Sequence, residues 1–210
     1  KLNLVRTLSR NHDNPSVSCR PFDVDRDGTV LGEGAAAFLV ERLEIARRRG
    51  ATIYAEILGC GAGCDGSRDG DDGAGDGLVN AITAALGDAG IEPGELGHIN
   101  AGANGSPEED SVEARAIQQV LGTAVDSVPV TALAGFLGHS DAGGGAMELA
   151  GCLLSLSHSL VPVTHGFNSP DPGCRLDIIS GVPRPLPGPL ALSCNRTEFG
   201  QSAAVVVRAG

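Results

Sequence analysis

Apolar and polar positions follow different periods along the first half of the chain. Residues 35–40 form a short apolar run, and residues 51–61 alternate and are rich in β-formers, so both stretches are predicted strands. A short helix that stops at Gly50 is predicted between them. Apolar residues then recur at helical spacing, and this pattern predicts a helix that begins with Asp76 as its N-cap and ends at Gly90.

The second half of the chain continues the alternation of strands and helices. Helices are predicted at 107–121 and 143–158, and the second is apolar nearly all round, which is typical of a buried helix. The predicted strands are one that ends at Ala101 and further ones at 127–133, 160–164, 189–194 and 202–209. This order predicts an α/β fold with a mixed sheet between helical layers.

The strand that ends at Ala101 passes into the next helix through a loop of small residues. Ser106 is the predicted N-cap, Pro107 occupies the first helical position, and Glu109 is placed to close a capping box. Junctions of this kind often hold catalytic side chains in α/β proteins. Positions 102–105 hold only Gly, Ala, Asn and Gly, which raises the question whether a catalytic residue is missing from the loop.

Charge and composition narrow the class of protein. The chain has 210 residues and a net charge of −11, and such an acidic surface argues against nucleic acid as a partner. The sequence shows neither a signal peptide nor an apolar run of about 18 residues, which predicts a soluble, cytoplasmic protein with no membrane partner. The six cysteines lack CxxC spacing, so reduced thiols are predicted, and Cys60 and Cys64 lack the second half of a zinc site.

The acidic, glycine-rich loop at residues 65–76 has some features of a calcium-binding loop. It places oxygen-bearing side chains and a glycine at the expected spacing, and these residues are Asp65, Ser67, Asp69, Gly70 and Asp76. However, Asp72 falls where an apolar residue is usual, and a strand rather than a helix precedes the loop. A solvated surface loop is therefore favoured, with a cation site as the alternative. The alternate glycines of 59–66 lack the spacing of a dinucleotide-binding turn.

His139 lies between a predicted buried strand and the glycine-rich entry into the helix at 143–158. A histidine at this point can hydrogen-bond to a substrate held over the strand ends. The simpler interpretation is a polar residue that caps the start of a helix. Local sequence alone leaves both open.

Three longer segments, at 19–61, 110–150 and 190–207, closely resemble the β-ketoacyl synthases in order and spacing. The resemblance implies a thiolase-like fold, of which this chain supplies the C-terminal half of the five-layered αβαβα arrangement. Residues 1–22 would then connect from the N-terminal half, and residues 23–210 would form the C-terminal domain. The implied reaction is a decarboxylative Claisen condensation of chains on acyl carrier protein, with no cofactor and no metal, in an enzyme that is normally dimeric.

The family's catalytic positions are only partly filled in this chain. The first histidine of the family falls on Gly102 and the lysine falls on Ala134, whereas the second histidine is present as His139. Phe199 matches the ring that gates the substrate, but the flexible residues around it are replaced. The nucleophilic cysteine of the family would lie upstream of Lys1.

Three hypotheses follow from this pattern. A chain that keeps the architecture but lacks the catalytic groups is similar to a chain-length factor, a partner subunit that shapes the tunnel of an active ketosynthase. The alternative is an acyltransferase or condensing enzyme with altered catalytic residues, which uses His139 and an upstream cysteine. A third hypothesis is a cation-binding module built on residues 65–76. Half of a thiolase-like fold exposes a large apolar face, so we expect tight binding to the missing N-terminal half or to a ketosynthase partner.

Overall fold

A mixed β-sheet is the centre of the structure, which is a computed structural model that describes residues 8–11, 14–66 and 74–210. Within these ranges the sheet is six-stranded, in the order β1-β8-β7-β2-β3-β5, and β4 pairs with β6 in a separate ribbon. The strands are β1 (Ala55–Cys64), β2 (His98–Ala101), β3 (Pro129–Ala132), β4 (Leu160–Val161), β5 (Asp177–Ile178), β6 (Arg184–Pro185), β7 (Leu190–Arg196) and β8 (Gln201–Ala209). Strands β7, β2, β3 and β5 run parallel, while β8 is antiparallel to both β1 and β7.

Helices cover both faces of this sheet. They are α1 (Leu43–Arg48), α2 (Asp76–Ala89), α3 (Pro107–Leu121), α4 (Ala134–Leu137) and α5 (Gly144–His158). Side chains of α2 and α3, such as Ile82 and Ile117, pack with Ile99 of the sheet in the main core. A second, smaller cluster joins Cys152 of α5 to Ala191 on the opposite face. The predicted α/β fold, with a mixed sheet between helical layers, is therefore confirmed.

Strand β1 packs so closely on α2 that only glycine fits at alternate positions. A Cβ atom on Gly61 would lie 2.0 Å from the carbonyl oxygen of Ala81, and one on Gly63 would lie 2.1 Å from that of Gly77. The alternate glycines of this stretch therefore serve the contact between strand and helix.

The predicted strand at 35–40 is wrong. Residues 33–42 take no regular structure, and Leu39 in this stretch is 81% exposed. An apolar run becomes a strand only when another strand supplies its hydrogen-bond partners, and none of the described strands pairs with it.

Two details of the helix starts also differ from prediction. The N-cap of α2 is Gly75 rather than Asp76, and the carboxylate of Asp65 accepts the N–H groups of Gly75 and Gly77. At α3, Ser106 Oγ does accept the N–H of Glu109, as predicted. The other half of the capping box does not form, because the N–H of Ser106 donates to Asn104 instead.

Helix α5 is less buried than its sequence predicts. The side facing the sheet is buried, whereas Leu154 on another side is exposed. The helix has more apolar surface than the described residues bury. The prediction that it is buried all round is therefore wrong for this structure.

Candidate functional site

The two positions at which the family resemblance predicts catalytic side chains, Gly102 and Ala134, lie beyond the ends of adjacent parallel strands. Ala101 of β2 pairs with Ala132 of β3, and Gly102 is the next residue after that pair. Ala134 follows two residues beyond Ala132 and is the buried first residue of α4. The structure therefore brings Gly102 and Ala134 to the same edge of the sheet, where α/β proteins usually place their sites.

Buried carboxyl groups of α3 hold the loop that follows β2. The backbone N–H of Gly102 donates to Glu113 Oε1 at 2.8 Å, and the N–H of Asn104 donates to Asp110 Oδ1 at 2.9 Å. Asp110 also accepts from the N–H groups of Gly105 and Phe22. With its polar backbone groups satisfied in this way, the loop is fixed without the side chain of a histidine.

Burial shifts the titration of these two carboxyl groups. It raises the pKa of Glu113 to about 8, even though the N–H of Gly102 favours the ionised form. It raises the pKa of Asp110 to about 6, against the opposing effect of its N–H donors and of Arg26. At neutral pH Glu113 is therefore mainly a neutral acid.

An amide side chain from β7 lies next to Gly102. Asn195 Oδ1 lies 3.1 Å from the point where a Cβ on Gly102 would stand, and a Cβ on Gly145 would be 3.6 Å from Asn195 Nδ2. The same Nδ2 donates to Glu148 Oε2 of α5. Burial raises the pKa of Glu148 to about 8. Asn195 thus lies next to Gly102 of the loop at 102–105 and bonds to a buried acid near the start of α5.

Sequence reasoning gave no functional role to Glu113, Glu148 or Asn195. Glu148 and Asn195 are 47 residues apart, so no local pattern connects them. One signal was present, because Glu148 is a lone carboxyl group within a strongly apolar helix, and a buried acid is typical of functional sites.

His139 lies beside residues 30–32, which come just before the irregular stretch 33–42. Its N–H donates to the carbonyl oxygen of Val30 at 2.7 Å, and its own carbonyl oxygen accepts the N–H of Gly32. The imidazole Nε2 lies 3.5 Å from Asp141 Oδ1. The N-cap of α5 is Gly143, so the interpretation of His139 as the residue that caps this helix is wrong. The imidazole is partly exposed, with 22% of the side chain accessible.

Phe199 lies in the tight turn between β7 and β8 and is 79% exposed. The turn is closed by hydrogen bonds from the N–H of Thr197 to the carbonyl oxygen of Gln201 and from the N–H of Gly200 to that of Thr197.

The remaining candidate sites contribute little. Residues 67–73 of the proposed cation loop lie outside the described residues, and Asp65 at its start is paired with Arg196 at 2.7 Å. The described residues contain no group of three or more side chains able to hold a metal ion. Cys60 and Cys64 are exposed on β1. No helix in the described ranges has the length and apolar character needed to cross a membrane.

Comparison with known proteins places these features in context. The family model for the C-terminal domain of β-ketoacyl synthase matches residues 54–168, and the model for the N-terminal domain matches residues 3–46. The ketoacyl synthase alpha subunit of the tetracenomycin polyketide synthase from Streptomyces glaucescens is 40% identical over 97% of this chain and 48% of its own length. The 3-oxoacyl-[acyl-carrier-protein] synthase 2 from Synechocystis sp. is 38% identical over 93% of this chain and 47% of its own length.

Solved structures give the same picture. The chain superimposes in full on half of the ishigamide ketosynthase/chain length factor, with a TM-score of 0.88 and 30% identity. It also superimposes in full on 52% of a chain from a type II polyketide synthase acyl-carrier protein in complex with its ketosynthase bound to the hexaketide, with a TM-score of 0.89 and 30% identity. The chain therefore spans about half the length of the proteins it matches.

Proposed function

The chain belongs to the β-ketoacyl synthase family, and from that premise we propose that it is part of a cytoplasmic, non-catalytic partner subunit that resembles a chain-length factor. The observation that carries the proposal is the pair of Gly102 and Ala134 at the ends of two adjacent strands. Neither residue has a side-chain donor, so neither can stabilise the negative charge that develops on a thioester carbonyl oxygen. Loss of one such donor costs about 10²–10³ in rate.

The scaffold around the empty positions supports a retained structural role. Glu113 and Asp110 still hold the loop at 102–105. Asn195, which lies next to Gly102, still bonds to Glu148 of α5. A subunit that only shapes a tunnel needs this scaffold and not the imidazole. Unused catalytic residues are free to be lost, while residues that fix the fold are not.

Apolar surface on one side of the described chain supports a permanent partner. A groove of about 540 Å³ runs between α4 and α5, and its lining includes Phe136, Met147 and Leu154. The exposed stretch 35–40 continues the apolar surface. We assign this surface to the N-terminal half of the fold and to a ketosynthase subunit beyond it. Residues 1–22 would connect the two halves, and the substrate would be an acyl chain on acyl carrier protein.

A second candidate function is an active acyltransferase or condensing enzyme with altered catalytic residues. It is favoured by the partly exposed imidazole of His139 and by the neutral acid Glu148 beside Asn195. This second function needs a nucleophilic cysteine in the N-terminal half.

A condensation assay on the purified full-length protein distinguishes the two proposed functions. The protein should form no condensation product from acyl- and malonyl-loaded acyl carrier protein by itself, and it should form product when a catalytically complete ketosynthase is added. Condensation by the full-length protein alone would overturn the partner-subunit proposal and favour the second candidate.

A further inference from the structure

One arginine at the base of the Phe199 turn is buried in an otherwise exposed region. Arg196 is the last residue of β7, and its side chain is only 8% exposed. Its Nη2 lies 2.7 Å from Asp65 Oδ2 and its Nε donates to the same oxygen at 3.2 Å. Its Nη1 donates to Glu109 Oε2 in the first turn of α3. A single guanidinium therefore joins three separate elements.

The carboxylate that Arg196 binds is itself fixed. Asp65 Oδ1 accepts the N–H of Gly77 at 2.8 Å and Asp65 Oδ2 accepts that of Gly75 at 3.2 Å, both at the start of α2. The N–H of Asp65 donates to the carbonyl oxygen of Gly200 at 3.0 Å. Gly200 has a φ of +80°, and a Cβ there would lie 2.6 Å from Asp65 Cβ. The Phe199 turn therefore contacts a rigid anchor.

The charges of the pair support a strong contact. Burial alone would raise the pKa of Asp65, but Arg196 and the two N–H donors outweigh it and lower that pKa. Burial alone would lower the pKa of Arg196, but Asp65 and Glu109 outweigh it and raise it. Both groups are charged over the physiological range, and a charge-assisted contact shielded from solvent is stronger than an exposed one.

We propose that Arg196 is a positioning residue that locks the Phe199 turn against Asp65 and Glu109, so that the backbone that carries the ring keeps one conformation. The inference rests on the proposed gating role of Phe199. The turn itself favours this state, because Thr197, Glu198 and Gln201 carry side chains that restrict the backbone more than glycine does. In the proposed subunit, a locked ring would form a fixed wall of the chain tunnel.

Hydrogen exchange on the full-length protein in complex with its ketosynthase tests the lock directly. Arg196→Met keeps the stem of the side chain and removes the ionic contacts, and Arg196→Lys keeps the charge but not the fork. We expect amide exchange at 197–201 to rise about tenfold or more in Arg196→Met, the factor for losing one charge-assisted hydrogen bond. Arg196→Lys should give a smaller rise, and exchange in α3 should stay unchanged.

The matched control is Arg175→Met, because Arg175 forms an exposed ion pair with Asp126 away from the turn. This variant should leave exchange at 197–201 unchanged. Unchanged exchange at 197–201 in both Arg196 variants, with the complex intact, would overturn the lock.

Product analysis separates this inference from the proposed function. If exchange rises and the product chain lengths broaden, both the lock and the tunnel role are supported. If exchange rises while the products stay the same, the lock stands and the proposed gating role of Phe199 falls.

Discussion

The backbone N–H of Gly102 donates a 2.8 Å hydrogen bond to Glu113 Oε1. This contact ties the first residue of the glycine loop to the buried face of α3. It explains how the loop keeps a defined position although its side chains are small. The surrounding acids bond to the backbone of the loop and not to a histidine side chain.

Replacing Glu113 tests how much this hydrogen bond contributes to stability. Glu113→Ala removes the acceptor of a shielded N–H group, so we expect the free energy of unfolding to fall by about 1–3 kcal/mol relative to Glu113→Gln, which keeps an acceptor oxygen. Urea denaturation of the two variants measures the difference. Equal stability of Glu113→Ala and Glu113→Gln would show that the contact contributes nothing.

Glu148 should make stability depend on pH in a definite direction. Its pKa is about 8 in the folded protein, against 4.5 as its ordinary value. Between these values the unfolded chain has released the proton while the folded chain retains it, so stability falls as pH rises, by about 1.4 kcal/mol per pH unit. Glu148→Gln should remove this contribution and make the decline between pH 5 and pH 8 (~3 units) shallower.

The control for that measurement is Glu44→Gln, because Glu44 is exposed at the start of α1. It should leave the dependence of stability on pH unchanged. A slope in Glu148→Gln that equals the wild-type slope would contradict the assignment of a buried, neutral acid.

Two glycine replacements on β1 and α2 should act in opposite directions. A Cβ at Gly61 would lie 2.0 Å from Ala81 O, whereas a Cβ at Gly87 meets nothing within 4 Å. Gly61→Ala should therefore lower the free energy of unfolding by about 3 kcal/mol or more through overpacking. Gly87→Ala should raise it by about 0.5–1 kcal/mol through helix propensity. Thermal unfolding measures both, and similar effects of the two replacements would refute the close contact of strand and helix.

Local sequence signals were enough to predict the elements whose ends are set by neighbouring residues. Helix α3 begins at Pro107 behind its Ser106 cap, and α2 ends at Gly90 with the left-handed backbone that glycine favours. The empty positions Gly102 and Ala134 were also readable, through the resemblance to the family. The structure then showed that they lie at one edge of the sheet.

Features that depend on distant partners could not be read from the sequence. The stretch 35–40 has the composition of a strand, but a strand exists only with a partner, and none lies in the described chain. The buried link from Asn195 to Glu148 and the lock at Arg196 join residues far apart along the chain. The roles of such side chains depend on contacts with residues distant along the chain, and only the structure shows those contacts.

The most direct test of the central claim is the condensation rate of the assembled complex after His139→Ala in this subunit. The family resemblance assigns His139 to the family's second catalytic histidine. A non-catalytic subunit should therefore keep the wild-type rate within about twofold after this replacement, well short of the 10²–10³ loss for a catalytic donor. Gel filtration would verify that the complex still forms. A rate reduced by about 10² or more in an intact complex would contradict the account and place catalysis in this chain.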